Sequence, residues 1–170
     1  MPAMTFDPSS YDLSGYVREF DFASGQWVAI RSKDYAPESV NPSGDGGRFH
    51  HIGEPAYYAA SGIRTACREV FPDLSGQIPE SHEVYSFPEG SYTLFDLARF
   101  VEEHTEASGL LHPDSHGDGQ QLRNALEGMS CSGVMYPSVR DEGGINASVW
   151  PLDGTPLPSG EFFRTYSGPR

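Results

Sequence analysis

Hydrophobic residues in this chain fall into short runs and alternations, separated by polar, glycine-rich or proline-rich stretches. Six of the runs have the length and the apolar or alternating pattern typical of β-strands. They cover residues 27–31, 55–60, 82–87, 91–97, 133–138 and 147–152. The pattern therefore predicts a protein with a substantial β-sheet.

Other segments repeat their apolar residues at helical spacing. Residues 62–71 carry them at positions i, i+4 and i+7, and residues 120–129 carry them at i, i+3, i+4 and i+7, which predicts two amphipathic helices. A further helix is predicted to follow the strand at 91–97 and to end near Ser108. We therefore predict a single compact α+β domain, in which helices flank a mixed or antiparallel β core.

The remaining stretches are predicted loops or an N-terminal extension. Residues 1–26 show no clear periodicity, so we expect them to form an extension that packs on a catalytic domain at residues 27–170. The stretch Ser32–Gly47 is rich in proline and glycine and is unusually long for a loop, and Gly109–Gly119 is a second predicted loop. Long loops in small domains are often functional.

Charge and length exclude several classes of protein. The chain has 170 residues, of which 37% are hydrophobic, so it can bury one sizeable core and is not a disordered chain. It has 11 basic and 24 acidic residues, a formal net charge of −13. A surface with this charge repels phosphate backbones, so we expect no nucleic-acid partner.

Location and redox state follow from what the sequence lacks. No apolar run approaches the ~20 residues that span a bilayer, and residues 1–10 do not resemble a signal peptide. We expect no membrane partner and a cytoplasmic location; delivery into a target cell remains open. Cys67 and Cys131 are too few for a disulfide framework, so they are interpreted as buried free thiols.

Common catalytic motifs are missing from the sequence. It contains no phosphate-binding GxxxxGK[ST] loop, no HExxH, no CxxC pair and no GxSxG. Six histidines are present, but His112 and His116 lie in a loop without further ligands nearby, and neighbouring His50 and His51 rarely converge on one ion. No metal is therefore expected.

A set of polar, glycine and aromatic residues remains that the predicted elements do not explain. In chain order these are Arg31, GGRF at 46–49, GEPAYY at 53–58, Ala66 and Glu69, and YPSVRDEGGIN at 136–146. Their ordered combination resembles the RES domain, a family named for its arginine, glutamate and serine. The resemblance covers about residues 27–152.

The resemblance implies an NAD-consuming enzyme with a fold similar to that of diphtheria-toxin-like ADP-ribosyltransferases. Such an enzyme is typically the toxin of a toxin–antitoxin pair, with an Xre-type antitoxin as its partner. The family's conserved positions match Arg31, Arg48, Tyr58, Glu69 and Ser138. The chain departs from the family at residues 49–50, where Phe-His stands in place of the usual Trp-Asn.

Cleavage of the nicotinamide–ribose bond needs only one carboxylate. Nicotinamide leaves as a neutral molecule, so no general acid has to protonate it. Glu69 would stabilise the positive charge of an oxocarbenium-like transition state or orient the attacking nucleophile. It lies beside Ala66 on the flank of the apolar stripe of its predicted helix, where it can point into a cleft.

The resemblance assigns Arg31 and Arg48 to the binding of NAD. Two guanidinium groups could clamp the pyrophosphate through charge-assisted hydrogen bonds. Ordinary ion pairing is the alternative, because Arg31 can pair with Asp34 or Glu38 and Arg48 can tie its turn to a surface carboxylate.

Four further residues complete the predicted site. Tyr58 would stack on nicotinamide or ribose, although Tyr57 and Tyr58 alternate across a strand and only the resemblance selects Tyr58. Ser138 would bind the carboxamide or the catalytic carboxylate, or is an ordinary turn serine. Arg140 and Asn146 either shape the NAD pocket or only pin the DEGG turn.

We therefore expect a toxin that destroys NAD by transferring ADP-ribose to water or to inorganic phosphate. NAD is then a substrate, and an Xre-type antitoxin or an immunity protein is the expected partner. A mono-ADP-ribosyltransferase that modifies a host protein is the second hypothesis. A catalytically inactive RES-like binding module is the third.

Overall fold

Eight strands and three α-helices form the described part of this computed structural model. The described residues are 6–23, 26–34, 47–51, 54, 56–71, 73, 78–87, 89–112, 114, 116–152 and 164–165. The strands are β1 (Val17–Phe22), β2 (Val28–Ser32), β3 (Tyr57–Ala60), β4 (His82–Ser86), β5 (Gly90–Asp96), β6 (Gly133–Pro137), β7 (Ile145–Val149) and β8 (Arg164–Thr165). The helices are α1 (Ile63–Val70), α2 (Leu97–Glu103) and α3 (His116–Glu127), with 3-10 turns at Pro8–Ser10, Ser14–Tyr16 and Thr105–Leu111.

All eight described strands belong to one mixed sheet in the order β1-β5-β6-β7-β3-β2-β4-β8. The pair β5 and β6 is parallel, and the other neighbouring pairs are antiparallel. Parallel neighbours need a long crossover. The crossover from β5 to β6 contains α2, the 3-10 helix Thr105–Leu111 and α3. The predicted α+β domain with a mixed sheet is confirmed.

The six predicted strands correspond to β2 through β7, with ends shifted by a few residues. The strand β1 was not predicted: it lies within the N-terminal 26 residues and pairs with β5 over its whole length. Most of the loop Ser32–Gly47 lies outside the described residues.

Two predictions between residues 97 and 119 were wrong. The helix expected to end near Ser108 stops at Glu103, because His104 adopts φ −131° and ψ 74° outside the helical region; a 3-10 helix follows. The predicted loop Gly109–Gly119 is helical at both ends, since a 3-10 helix ends at Leu111 and α3 begins at His116. Glycine has poor helix propensity, but tertiary packing outweighs it at Gly119, as described below.

The helices cover one face of the sheet, which we call the helical face. Over β5 and β6, the segments α2 and α3 bury a cluster that includes Phe100, Leu122, Leu126 and Trp150. Over β2 and β3, α1 buries a separate cluster around Cys67. The middle strand β7 lies between the strands that these two clusters cover, and an opening remains there over the centre of the sheet.

The opposite face of the sheet is buried by aromatic side chains. Phe22 of β1 stacks on Trp27 at a centroid distance of 4.6 Å and lies 6.0 Å from Phe87, which follows β4. Because β1 and β4 lie near opposite ends of the strand order, this contact shows that the sheet curls around its own aromatic core. Tyr57 lies in this cluster.

The N-terminal segment packs against the helices. Phe6 and Leu13 are buried in the same cluster as Phe100. The Tyr11 ring lies 5.2 Å from the Phe100 ring, and the Tyr11 hydroxyl donates a hydrogen bond of 3.2 Å to Glu106.

Replacing Gly133 with Ala is expected to lower the free energy of unfolding by about 1–3 kcal/mol, the usual cost of overpacking a core. A Cβ at this position would lie 2.5 Å from the Ser148 carbonyl oxygen and 2.6 Å from Leu94 Cδ2. Urea titration measures the change. The control is Gly117→Ala in α3, where a Cβ meets nothing within 4 Å and stability should not fall; equal losses in both variants would contradict the prediction.

Candidate functional site

An open cavity of about 240 Å³ lies in the gap on the helical face. Its polar or aromatic lining consists of Tyr58, Glu69, Tyr136 and Asn146, and its apolar wall includes residues 28–30 and 59–60. Strand register explains this grouping: Ala60 pairs with Asn146, which pairs in turn with Tyr136, so these side chains leave the sheet on the same face.

Glu69 is the only carboxylate among the described residues that line this cavity. Its Oε1 accepts hydrogen bonds from the Ser138 hydroxyl and, at 2.9 Å, from Asn146 Nδ2. Its Oε2 lies 3.9 Å from Arg140 Nε, and 28% of the Glu69 side chain is exposed. Two neutral donors therefore fix one oxygen while the carboxylate remains accessible.

Ser138 takes part in two of the three interactions that the sequence left open, the contact with Glu69 and the hydrogen bonds of its turn. Its hydroxyl donates to Glu69, and the same oxygen accepts from the backbone N–H groups of Arg140 at 3.2 Å and Asp141 at 3.1 Å. Its own N–H donates to the Gly144 carbonyl at 2.9 Å. The turn after β6 thus aims the serine hydroxyl at Glu69.

Asp141 ties that turn to α1, a role that the sequence did not reveal. Its carboxylate accepts from Thr65 Oγ1 at 2.7 Å and Arg68 Nη1 at 2.8 Å, and it lies 3.1 Å from Arg64 Nε. The hydrogen bond from Thr65, together with the two arginines, lowers the pKa of Asp141 below its ordinary value. A Cβ on Gly144 would lie 2.5 Å from Thr65 Oγ1, so glycine permits this close approach.

A second turn carries Arg48 at its tip. The Gly47 N–H donates to the His50 carbonyl at 2.9 Å, which closes the turn. Gln120 Nε2 of α3 donates to the carbonyls of Gly47 and His50 at 2.9 and 3.0 Å. Arg123 Nη1 donates to the Phe49 carbonyl at 3.1 Å.

The sequence did not identify Gln120 and Arg123 as supports of this turn. Gly119 belongs to the same contact, because a Cβ there would lie 2.0 Å from the Arg48 carbonyl oxygen. The one available signal was an arginine on the predicted helix 120–129, and helical periodicity does not show what it contacts.

The Arg48 guanidinium lies behind the cavity wall. Its Cζ is 4.6 Å from the centroid of the Tyr136 ring, and its Nη2 donates to the Leu110 carbonyl at 2.6 Å. Its Nε is buried and has no hydrogen-bond partner among the described residues. Burial lowers the pKa of Arg48, yet an arginine remains charged at neutral pH.

Tyr58 faces the cavity, whereas Tyr57 points to the opposite core. The Tyr58 hydroxyl accepts from the Phe49 N–H at 3.1 Å and lies 2.8 Å from His50 Nδ1. Burial raises the pKa of Tyr58. The ring thus connects the wall of the cavity to the turn that carries Arg48.

The structure brings four of the predicted site residues into contact, but neither Arg31 nor Arg48 is among the described residues that line the cavity. Glu69, Ser138, Arg140 and Asn146 form one connected group. Arg31 follows Ile30 on β2 and pairs in register with Glu83, but it is not among the described residues that line the cavity. Glu38, one of its alternative partners, lies outside the described residues.

The aromatic residue after Arg48 is part of the core. Phe49 is fully buried, with its ring 5.1 Å from the Tyr136 ring. The sequence did not single out Tyr136, which contacts both Phe49 and Arg48 and also lines the cavity.

The described residues contain neither a membrane-spanning helix nor a group of side chains that could hold a metal ion. No described helix is long and apolar enough to cross a membrane. Within the same residues, no three His, Cys, Asp or Glu side chains are grouped so as to hold a metal ion.

Comparison with known proteins identifies relatives of this chain. The model of the RES domain family matches residues 26–161, a range that contains all of the predicted site residues. A chain in the crystal structure of the M. tuberculosis MbcT–MbcA toxin–antitoxin complex has the same fold, with a TM-score of 0.66 and 15% sequence identity. The match covers 90% of this chain and 87% of that chain. No curated protein matches the sequence.

Replacing Asp141 with Asn is expected to lower the free energy of unfolding at pH 7 by about 2 kcal/mol, because hydrogen bonds to a charged group are lost. The lowered pKa of Asp141 means that its stabilisation is present above the unfolded value near 3.9 and is lost as the pH falls through the folded value. The difference between the two proteins should therefore disappear in acid.

Urea titrations across a pH series measure this difference. The control is Glu142→Gln, which removes an exposed carboxylate from the same turn and should change little at any pH. A stability difference for Asp141→Asn that persists unchanged in acid would contradict the role given to the ionised carboxylate.

Proposed function

Because this chain belongs to the RES domain family, we propose that it cleaves the bond between nicotinamide and ribose in NAD. The observation that carries the proposal is the Glu69 carboxylate at the wall of an open cavity, where Ser138 and Asn146 hold one of its oxygens. A fixed carboxylate in a cavity is suited to a reaction whose transition state is positively charged.

The chemistry of the leaving group favours electrostatic stabilisation by Glu69 over acid catalysis. Ser138 and Asn146 both donate to Oε1 and fix its position. Oε2 remains for the ribose or for the attacking nucleophile. Since the departing nicotinamide is neutral, the reaction needs no proton from this residue.

Arg48 supports the binding of a diphosphate. Its Nε has no partner among the described residues, although a buried guanidinium normally satisfies its donors. It lies against Tyr136, whose ring also lines the cavity. A phosphate beside Tyr136 would receive a charge-assisted hydrogen bond from Arg48. Arg31, further along β2, is proposed as the second phosphate ligand, on the family resemblance alone.

The cavity size is consistent with one half of the dinucleotide. At about 240 Å³ it is smaller than most complete ligand pockets, which occupy ~300–1,000 Å³. We assign the nicotinamide and its ribose to this space, between Tyr58 and Glu69, with the adenosine half outside it.

We further propose that the chain is the toxin of a toxin–antitoxin pair. The likeness in fold to a chain of the M. tuberculosis MbcT–MbcA complex supports this role. NAD in the cytoplasm is then its substrate, ADP-ribose is transferred to water or to inorganic phosphate, and an Xre-type antitoxin restrains it. An antitoxin with basic groups would complement the net charge of −13.

Glu69→Gln is expected to reduce the rate of NAD cleavage by about 10²-fold or more, because the amide keeps the size of the side chain but not its charge. The assay follows NAD loss and nicotinamide release by the purified protein, with and without inorganic phosphate. Glu142→Gln, an exposed residue of the neighbouring turn, is the matched control and should retain full activity.

The outcomes of this assay separate the alternatives. Loss of NAD that requires phosphate identifies a phosphorylase, and loss without phosphate identifies a glycohydrolase. If bulk NAD stays intact while mass spectrometry finds ADP-ribose on one protein of a treated lysate, the chain is a protein ADP-ribosyltransferase. If the protein neither cleaves NAD nor modifies another protein, the remaining hypothesis is a catalytically inactive binding module. In cells, growth arrest by the parent but not by Glu69→Gln would support the toxin role.

Arg48→Lys is expected to raise the KM for NAD by about tenfold, with a smaller effect on kcat. An ammonium group cannot bind the Leu110 carbonyl and a phosphate with the fixed fork of a guanidinium. Steady-state kinetics measure both constants. Arg99→Lys, on the exposed side of α2, is the control; an unchanged KM for Arg48→Lys would remove Arg48 from the binding of NAD.

A further inference from the structure

The buried contact between His50 and Tyr58 is not explained by the roles given so far. His50 is 3% exposed, and its Nδ1 lies 2.8 Å from the Tyr58 hydroxyl oxygen. The same oxygen accepts the Phe49 N–H at 3.1 Å. The His50 ring and the Phe49 N–H, both from the turn at residues 47–50, thus meet at the Tyr58 hydroxyl of β3.

Counting donors and acceptors narrows how these groups bond. The Phe49 N–H occupies one acceptor position of the Tyr58 oxygen. The phenolic proton can be donated to His50 or to Ser148, which lies opposite Tyr58 on β7. In a neutral imidazole one nitrogen carries a proton and the other accepts. A neutral His50 with its proton on Nε2 therefore presents Nδ1 as the acceptor for Tyr58.

We propose that His50 is a positioning residue for the NAD-cleaving reaction. Its Nδ1 accepts a hydrogen bond from the Tyr58 hydroxyl and thereby holds the turn that carries Arg48 against β3. This inference rests on the proposed function. His50 does not line the cavity, so it acts through Tyr58 and Arg48 and not on the substrate.

The local packing is consistent with a fixed ring at this position. A Cβ on Gly47 would lie 2.3 Å from the His50 ring and 3.2 Å from the Tyr58 hydroxyl, so glycine at the start of the turn leaves the space that the ring occupies. On the other side, Gln120 holds the His50 carbonyl at 3.0 Å. The histidine is thus held by its backbone to α3 and by its side chain to β3.

Protonation of His50 would break this arrangement. A proton on Nδ1 turns the acceptor into a donor, so Tyr58 can no longer donate to His50. The charged and titratable groups around the ring are Arg123 and His116 of α3, His51 and Glu54 on its own segment, and Tyr58 on β3. Burial and Arg123 lower the pKa of His50, and Glu54 opposes them. The neutral form therefore persists at pH 7 and is lost only below the usual value near 6.5.

The test compares His50→Asn and His50→Leu over a pH range. An asparagine Oδ1 can accept a hydrogen bond from Tyr58 but does not titrate, so His50→Asn should keep the neutral-pH KM for NAD within about threefold and lose the parent's fall in activity below the usual histidine value near pH 6.5. The leucine of His50→Leu has no acceptor. The KM for NAD of this variant should rise about tenfold, because one buried hydrogen bond is lost. His51→Asn is the matched control, with the parent's pH profile expected.

A second measurement does not depend on turnover. Long-range ¹⁵N NMR of the parent should show His50 as the tautomer protonated on Nε2, with the Nδ1 resonance shifted towards that of an imidazole nitrogen without a hydrogen bond in Tyr58→Phe. If His50→Asn keeps the parent's acid fall, or if Nδ1 carries the proton at pH 7.5, the positioning role is wrong even though NAD is cleaved. If the parent cleaves no NAD, the proposed function fails, and the tautomer alone decides whether His50 accepts from Tyr58.

Discussion

The contact of the Asp141 carboxylate with α1 is the constraint on which the cavity depends. Asp141 holds the turn after β6 against Thr65 and Arg68 of α1. Glu69 follows Arg68 and lies one helical turn after Thr65. Because turn and helix are fixed to each other, the Ser138 hydroxyl and the Asn146 amide reach the Glu69 carboxylate. The distance between α1 and the β6–β7 hairpin is thus set outside the cavity, by groups that substrate does not touch.

The same principle applies on the opposite side of the cavity. There α3 holds the backbone of the turn at residues 47–50 through Gln120 and Arg123. Arg48 is therefore placed by a rigid helix, although it lies in an irregular segment. Glu69 faces the cavity and Arg48 lies behind its wall, and in both cases residues from neighbouring elements fix the position of the charged group, as precise positioning of reacting groups requires.

Periodicity in the sequence was sufficient to predict six of the strands, the fold class and the position of Glu69 on the flank of α1. It failed where the decisive contact joins distant segments. The strand β1 becomes evident only from its pairing with β5 in the structure. Gly119 lies in α3 at the point where this helix packs on the Arg48 carbonyl. Asp141 and Tyr136 carry no local signal of what they contact. The catalytic and binding roles of the predicted residues stay predictions.

The hydrogen bonds that assemble the site join residues far apart in the chain. Those from Arg48 to Leu110, from Ser138 to Glu69 and from Asn146 to Glu69 span 62, 69 and 77 residues. Closing such long loops comes late in folding, after local structure has formed. A chain still emerging from the ribosome has α1 long before it has β7. Its carboxylate then has no partners, so the site is assembled only after β7 has been made and has paired in the sheet.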